Sequence, residues 1–213
     1  MTIWMIRAGK YGEREKAALD NQAAIIGWEE LPDLSNCKSR SELADLLKAT
    51  YPDDKPKTLL NWESQLWPIL DTIKIGDLVA LPLKTRPDVA IGKVIGPYAY
   101  RNDIAGGPFH TRQVQWINEF PRSAFDPDLL FSLGAAMTVC RIERNSAEAR
   151  IEAMLQGKKF SKVSAKNENQ TAPALLVATD TLAMPDIEQQ FAAFRQHKSG
   201  GSSHPRCDEN KGS

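Results

Sequence analysis

The sequence predicts an α+β fold: a small, strongly bent mixed β-sheet or barrel of about six strands, flanked by helices. Short runs of β-branched and aromatic residues recur as far as Ile142, and stretches with helix-capping signals separate the early runs. The composition changes at Gly157, after which apolar residues become sparse. The chain before that point suffices for one domain, since about 150 residues bury roughly two thirds of their unfolded surface.

The first three predicted elements are a strand, a helix and a second strand. The first strand is TIWMIRAG (2–9), a β-branched and aromatic run that stops at Gly9. The helix runs from Glu13 to Gln22, a stretch rich in helix formers. The second strand is AAIIGW (23–28), whose almost wholly apolar sequence indicates a strand that is buried on both faces or central.

Two longer helices are predicted next. In residues 39–52, Ser39 and Glu42 have the spacing of a capping box, which places the start of the helix at Ser39. Residues 58–73 carry an apolar stripe at helical spacing. Pro68 lies inside this second stretch and should kink the helix or divide it in two.

Three further strands are predicted at residues 74–83, 88–100 and 110–117. The first two are joined by the turn KTRP (84–87), and Gly96 interrupts the second. The third alternates polar and apolar residues, as a half-exposed strand does.

The predicted domain closes with a short helix or a pair of turns at 121–134, a last strand at 135–142 and a helix at 145–155. Asn145 is the predicted N-cap of that helix, with Glu148 three residues later.

Four segments follow from the composition. Residues 1–156 form the folded domain, 157–183 a polar linker, 184–198 a C-terminal helix and 199–213 a disordered tail.

Charge and cysteine content describe the expected setting of the protein. Lys and Arg number 27 and Asp and Glu also 27, so a wholesale basic coat for nucleic acid is excluded and only a local patch remains possible. The cysteines Cys37, Cys140 and Cys207 are dispersed, which indicates reduced thiols and no zinc site. No apolar stretch is long enough for a membrane helix, and no signal peptide is recognisable. We expect a soluble cytoplasmic protein with no membrane partner.

Catalytic motifs are not recognisable in the sequence. The histidines are His110, His197 and His204, and no Ser/His/Asp set, HExxH motif or phosphate-binding loop can be assembled around them. The spacing of Glu209 and Lys211 fits a metal-dependent nuclease, but it lies in a Gly/Ser-flanked tail without the rigid strand such a site needs. The sequence therefore predicts a protein that is not an enzyme and needs no cofactor or metal.

Five tryptophans raise a choice between core packing and a binding site. Trp4 and Trp116 lie in alternating strands, where core packing is expected. Trp28 ends a strand. Trp62 and Trp67 are five residues apart, about 140° around a helix, so one stripe does not hold both and Trp67 is expected to point away from the core. Either these rings complete the core, or they form an aromatic cage around a flat group.

Motifs along residues 3–155 resemble known domains. IWMIRAGK and AAIIGW are similar to the opening of the PUA-like superfamily branch that contains the YTH and EVE domains. More closely, the stretch resembles the N-terminal domain that precedes Mrr-type nuclease domains in modification-dependent restriction enzymes. The motifs that carry this resemblance are RAGKYGE, IGW, QLW, GDLVALPLKTRP, IGKV, PRSAF and LGAAMTVCRI.

The resemblance implies a reader of modified DNA. Such a module flips a modified base out of double-stranded DNA into an aromatic pocket and supplies specificity to a type IV-like restriction or anti-phage system. The nuclease domain of that family is missing from this chain, so catalysis is not expected here.

The resemblance makes Trp28 the expected wall of the base pocket and places Arg7, Lys10 and Tyr11 at its rim. Trp62 and Trp67 are candidates for a second wall, with a gap one base thick between facing rings. The predicted base pocket comprises Trp28, Trp62, Trp67, Tyr11, Asp33, Asn36 and Asn61.

A strip of cations and polar groups is expected to hold the nucleic-acid backbone. It comprises Arg7, Lys10, Lys84, Thr85, Arg86, Lys93, Arg101 and Arg112.

Two other interpretations stay open. The chain could be an EVE- or PUA-type module that binds RNA or a small ligand. It could also be a subunit that docks to a nuclease through its C-terminal helix, with Ile187 and Phe191 on the docking face.

Overall fold

The computed structural model describes residues 1–158. The predicted helix 184–198, the tail and nearly all of the linker lie outside these residues. The strands are β1 (Ile3–Ile6), β2 (Ala23–Ile26), β3 (Leu78–Pro82), β4 (Asp88–Arg101), β5 (Phe109–Pro121) and β6 (Val139–Arg141). The helices are α1 (Glu15–Asp20), α2 (Arg40–Thr50), α3 (Pro56–Trp67), α4 (Pro127–Leu133) and α5 (Ala147–Leu155).

The strands form one mixed, open sheet in the order β2-β5-β4-β3-β1-β6. β1 pairs in parallel with β3, and every other neighbouring pair is antiparallel. The predicted α+β class and the six strands are confirmed. The barrel alternative is not, because β2 and β6, the two edge strands, do not pair with each other. β2 is therefore an edge strand, although all four of its residues are buried, as its apolar sequence predicted.

Helices cover both faces of the sheet. On one face, Leu43 of α2 and Leu66 of α3 pack with Ile6 of β1 and Ile26 of β2. Since β1 and β2 lie far apart in the strand order but share this cluster, the sheet must bend strongly. On the other face, alternate residues of β1, including Met5, pack against α4 and α5.

The break predicted at Pro68 is confirmed, whereas β4 runs without a break through Gly96, from Asp88 to Arg101. α3 ends at Trp67, and Pro68 begins a short π-helical turn (Pro68–Thr72), so Pro68 divides the helix. The register of β4 against β5 shifts between Val94 and Tyr98, where Gly96 was expected to interrupt the strand.

One helix start was predicted correctly and another was not. The Ser39 hydroxyl accepts the Glu42 backbone N–H at 3.2 Å, as the capping box predicted for α2. Asn145 does not cap α5. The cap position is Ser146, in a left-handed conformation with no side-chain cap, and the Asn145 amide instead donates to Asp128 at 2.8 Å. The side chain of Asn145 is bound instead by Asp128 of α4, a tertiary contact that the local sequence does not predict.

Across residues 1–158, no helix combines the length and the apolar character needed to cross a membrane.

Candidate functional site

A cavity of about 990 Å³ lies where the chain leaves several strands. β1 and β3 are parallel neighbours, so their carboxyl ends share one edge of the sheet, and the loop after β1 meets the turn after β3 there. Residues that follow β2, residues that follow α2 and Trp62 of α3 also line the cavity. The lining residues are Arg7, Gly9, Lys10, Tyr11, Arg14, Gly27, Trp28, Glu30, Tyr51, Asp54, Trp62, Lys84, Ala136 and Thr138.

Three rings form one side of the cavity, and we call Trp28, Tyr51 and Trp62 the aromatic wall. The Trp28 and Trp62 ring centroids are 6.4 Å apart at an interplanar angle of 75°. The Tyr51 and Trp62 rings contact each other in the same way, at 5.0 Å and 74°. The expected base-wide gap between parallel rings is therefore wrong: Trp28 and Trp62 meet edge to face. A flat ligand would lie against the wall and not between these two rings.

The backbone of Trp28 adopts an unusual conformation that sets the direction of its ring. Its φ is +67°, a left-handed value that is strained for a bulky residue. The Trp28 carbonyl accepts the Leu31 N–H at 3.0 Å and lies 3.2 Å from Nε2 of His110. These two contacts fix the turn that points the Trp28 ring at the cavity.

His110 is a buried group behind the aromatic wall, with 1% of its surface exposed. Burial lowers the pKa of His110, so its ring is neutral at pH 7. The Tyr98 hydroxyl lies 2.8 Å from Nδ1. This arrangement assigns Nε2 as the protonated nitrogen, which donates to the Trp28 carbonyl, while the Tyr98 hydroxyl donates to Nδ1.

Three cations also line the cavity, and we call Arg7, Lys10 and Lys84 the basic side. None of the three forms an ion pair with a carboxylate of residues 1–158. Arg7 donates from Nη2 to the Leu133 carbonyl at 3.2 Å, while its buried Nε has no hydrogen-bond partner within the described chain. Arg14 differs, because its guanidinium is paired with Glu13 and Glu29.

Two glutamates hold the basic side in place. Gly9 (φ +99°) turns the chain after β1 so that the Glu13 carboxylate accepts the N–H of Tyr11 at 2.8 Å and that of Lys10 at 3.2 Å. Glu15 is 3% exposed and accepts the Lys84 N–H and both the N–H and the hydroxyl of Thr85. The turn between β3 and β4 is thereby fastened to α1, which brings Lys84 to the cavity.

Two acidic side chains, Glu30 and Asp54, lie at the rim. The Tyr51 hydroxyl donates to Oε2 of Glu30 at 2.8 Å. This hydrogen bond lowers the pKa of Glu30, so the group is a carboxylate at neutral pH. Residues 1–158 contain no cluster of three or more potential metal-ligating side chains.

A family model for a domain of unknown function, DUF8426, matches residues 4–139, well over half of the chain. The chain belongs to this family. Every residue that lines the cavity falls inside the DUF8426 match. A search of the curated proteins gives no match.

The cavity of the DUF8426 domain brings together six of the predicted site residues and leaves out four predicted pocket residues. Those at the cavity are Trp28, Trp62, Tyr11, Arg7, Lys10 and Lys84. Trp67 lines a separate cavity of about 310 Å³ with Tyr98. Asp33 accepts from Ser35, Asn61 accepts from Gln65, and neither they nor Asn36 line the main cavity.

The predicted backbone strip does not form a continuous surface. Arg112 is wrong as a phosphate contact, because it is 5% exposed and its guanidinium donates to the carbonyls of Ile69, Leu70 and Gly96. Arg86 pairs with acidic side chains, as does Arg101, while Thr85 is bound by Glu15. Lys93 is exposed but does not line the cavity.

Sequence reasoning missed Arg14, Glu30, Tyr51, Asp54 and Thr138. Tyr51 and Asp54 follow α2, far in sequence from Trp28, and only the packing of α2 and α3 on the bent sheet brings them to the cavity. The one available signal was TYPDD (50–54), an aromatic followed by acids at a helix end.

Proposed function

We propose that this chain is a non-catalytic nucleic-acid-binding module that takes a single flipped, modified base into its cavity. The observation that carries the proposal is the meeting of the aromatic wall with the three unpaired cations of the basic side. Stacking on an aromatic side chain contributes about 1–3 kcal/mol per base. Lysine and arginine supply the phosphate contacts that position a nucleotide. A flat group attached to an anion is the ligand that matches both sides.

The size of the cavity suits one nucleotide. About 990 Å³ is within the range of small-molecule sites, which is roughly 300–1,000 Å³. A base inside a duplex cannot reach such a pocket unless it leaves the stack, at a cost of a few kcal/mol that stacking and phosphate contacts offset.

The motif resemblance supports a more specific version of the proposal. In it the bent sheet is an open variant of the PUA-like barrel found in EVE and YTH domains. The chain then acts as the specificity domain of a modification-dependent, Mrr-associated restriction or anti-phage system.

RNA or a free nucleotide is the second candidate, and the charge distribution favours it. Outside the cavity, Arg86 and Arg101 are paired with acids and Arg112 is buried. A protein that follows a duplex needs cations along its surface. Of the eight residues in the predicted strip, Arg7, Lys10 and Lys84 line the cavity, which suits a single-stranded or mononucleotide ligand.

Gel-shift titrations with matched duplexes test the proposal. The duplexes carry no modification, N6-methyladenine, 5-methylcytosine or 5-hydroxymethylcytosine, and a single-stranded RNA is the fifth probe. We expect one modified duplex to bind most tightly. Equal affinity for all four duplexes would remove modified-base recognition, and tighter binding of the RNA would favour the second candidate.

Variants connect binding to the cavity. Trp28→Ala should weaken binding by about 5- to 150-fold, the loss of one stacking partner. Lys10→Ala and Lys84→Ala should each weaken binding and reduce its salt dependence. Lys93→Ala is the matched control, because this exposed lysine does not line the cavity. Wild-type affinity in both cavity lysine variants would contradict the proposed role of the basic side.

A further inference from the structure

We infer that Glu30 is a specificity-determining residue that favours bases with an exocyclic amino group over bases with a carbonyl at the same position. The inference rests on the proposed function, since it concerns which base the aromatic wall receives. It adds a chemical class of base to a proposal that otherwise names only a flat group and an anion.

Glu30 is held beside the aromatic wall by a side chain of that wall. The Tyr51 hydroxyl donates to Oε2 of Glu30 at 2.8 Å. The Tyr51 ring in turn packs edge to face on Trp62 at 5.0 Å. Glu30 lines the cavity, and this hydrogen bond holds its carboxylate beside the Tyr51 ring of the wall.

The second oxygen of this carboxylate is available to a ligand. Among residues 1–158, Oε1 of Glu30 accepts no hydrogen bond, and Glu30 takes part in no ion pair. The Tyr51 hydrogen bond keeps the group ionised at neutral pH. An ionised carboxylate only accepts hydrogen bonds, so it attracts an N–H group and repels a carbonyl oxygen.

Four of the bases divide by this criterion, and guanine carries both an amino group and a carbonyl. Cytosine and adenine present an amino group on the Watson–Crick edge, and carboxylates pair with the cytosine amino group in protein–DNA complexes. Thymine and uracil present a carbonyl oxygen where cytosine has its amino group. 5-Methylcytosine and thymine share ring size and the 5-methyl group, so this pair isolates the contact made by Glu30. A single correct base contact gives roughly 5- to 150-fold discrimination.

The experiment compares two duplexes that carry 5-methylcytosine or thymine opposite an abasic site. Neither base has a pairing partner there, so the cost of flipping is similar for both. We expect wild-type protein to bind the 5-methylcytosine duplex at least about tenfold more tightly. Glu30→Gln should bring the ratio toward one, because a side-chain amide can present either its oxygen or its N–H group. Tyr51→Phe keeps the ring but releases the carboxylate, and should give an intermediate ratio.

Asp53→Asn is the matched control. Asp53 is exposed, precedes the lining residue Asp54 and does not itself line the cavity. This variant therefore removes one negative charge without changing the proposed contact. We expect it to keep the wild-type ratio. If Asp53→Asn lowers the ratio as far as Glu30→Gln does, general charge explains the preference and the inference is overturned.

The remaining outcomes separate the inference from the proposed function. Equal wild-type binding of both duplexes, with both lost in Trp28→Ala, would refute selection by Glu30 and leave the base pocket standing. An unchanged ratio in Glu30→Gln would also refute it. Failure of the wild-type protein to bind either duplex or any of the modified duplexes and RNA described above would overturn the proposed function and the inference with it.

Discussion

At the scale of single residues, Trp28 combines a strained backbone with a ring that lines the cavity. A non-glycine residue in the left-handed region costs of order 1–3 kcal/mol and persists only where the surroundings fix it. Here the surroundings are the Leu31 N–H and His110, both bound to the Trp28 carbonyl. The position of the ring therefore depends on a buried histidine that does not itself line the cavity.

The buried His110 should make the stability of the domain depend on pH. Its folded pKa lies below the ordinary value of about 6.5, so in mildly acidic solution the unfolded chain binds a proton that the folded chain does not. Stability is then complete above about pH 6.5 and is lost as the pH falls below it, by up to roughly 1.4 kcal/mol per pH unit. Urea unfolding at pH 7.5, 6.5 and 5.5 measures the effect.

His110→Gln is the variant for this prediction. It cannot titrate, so its stability should change less between pH 7.5 and 5.5, although its stability at pH 7.5 should be lower. Equal pH dependence in the variant and the wild type would show that another group is responsible.

At the scale of elements, the turn between β3 and β4 depends on Glu15 of α1. We expect Glu15→Gln to reduce the free energy of unfolding by about 1–3 kcal/mol. The carboxylate accepts three hydrogen bonds on two oxygens, whereas a glutamine amide has only one accepting oxygen. Urea unfolding measures this change. Under the proposed function, nucleotide binding should also weaken, because Lys84 loses its fixed position. Glu152→Gln is the control, since Glu152 makes no side-chain hydrogen bond within residues 1–158. Equal stabilities of the two variants would contradict the fastening role of Glu15.

The pairing of β4 with β5 requires a residue without a side chain at Gly92. A Cβ there would lie 2.5 Å from Cγ1 of Val114, 2.7 Å from Cε3 of Trp116 and 2.9 Å from the Gln115 carbonyl oxygen. Gly92→Ala should therefore lower the free energy of unfolding by about 1–3 kcal/mol. Gly27→Ala is the comparison, because its Cβ would meet nothing closer than 3.9 Å. A Gly92 variant as stable as the Gly27 variant would show that the strands adjust freely.

The sequence predicted elements better than it predicted their meeting points. The strands and the break at Pro68 follow from local patterns and were found where expected, whereas the interruption expected at Gly96 is only a shift in register. Whether the sheet closes depends on the accumulated bend of all the strands, which no local pattern encodes. Arg112 illustrates the same limit: it was expected to contact the nucleic-acid backbone, but it donates to the carbonyls that follow α3. Trp28 was found through the motif resemblance at the end of the second strand, whereas Tyr51 reaches the cavity only through helix packing.

At the scale of the whole molecule, Arg150 ties α5 to the start of α4 on the face of the sheet away from the cavity. Its guanidinium contacts both oxygens of Asp128 and one oxygen of Asp126. The Arg150 hydrogen bonds hold the pKa of Asp128 well below its ordinary range. This contact joins the two helices that pack with Met5 of β1, and none of its three residues lines the cavity.

Acid should weaken this contact. Because the folded pKa of Asp128 is depressed, its stabilisation is present above the unfolded value of about 3.9 and is lost as the pH falls below it. Asp128→Asn should be less stable than wild type at pH 7, and the difference should shrink at pH 3. Urea unfolding at both pH values measures this, with nucleotide binding at pH 7 as a check that the cavity is intact. A stability difference as large at pH 3 as at pH 7 would contradict the ionic origin of the effect.

The cavity draws its lining from segments that are distant in sequence, from Arg7 to Thr138. A ligand bound in the cavity would therefore contact distant segments and stabilise the folded chain over the unfolded one. At a hundredfold excess over its dissociation constant such an occupant adds about 2.7 kcal/mol. Thermal-shift screening of a nucleotide library would then rank ligands by the rise in melting temperature, without any prior choice of base.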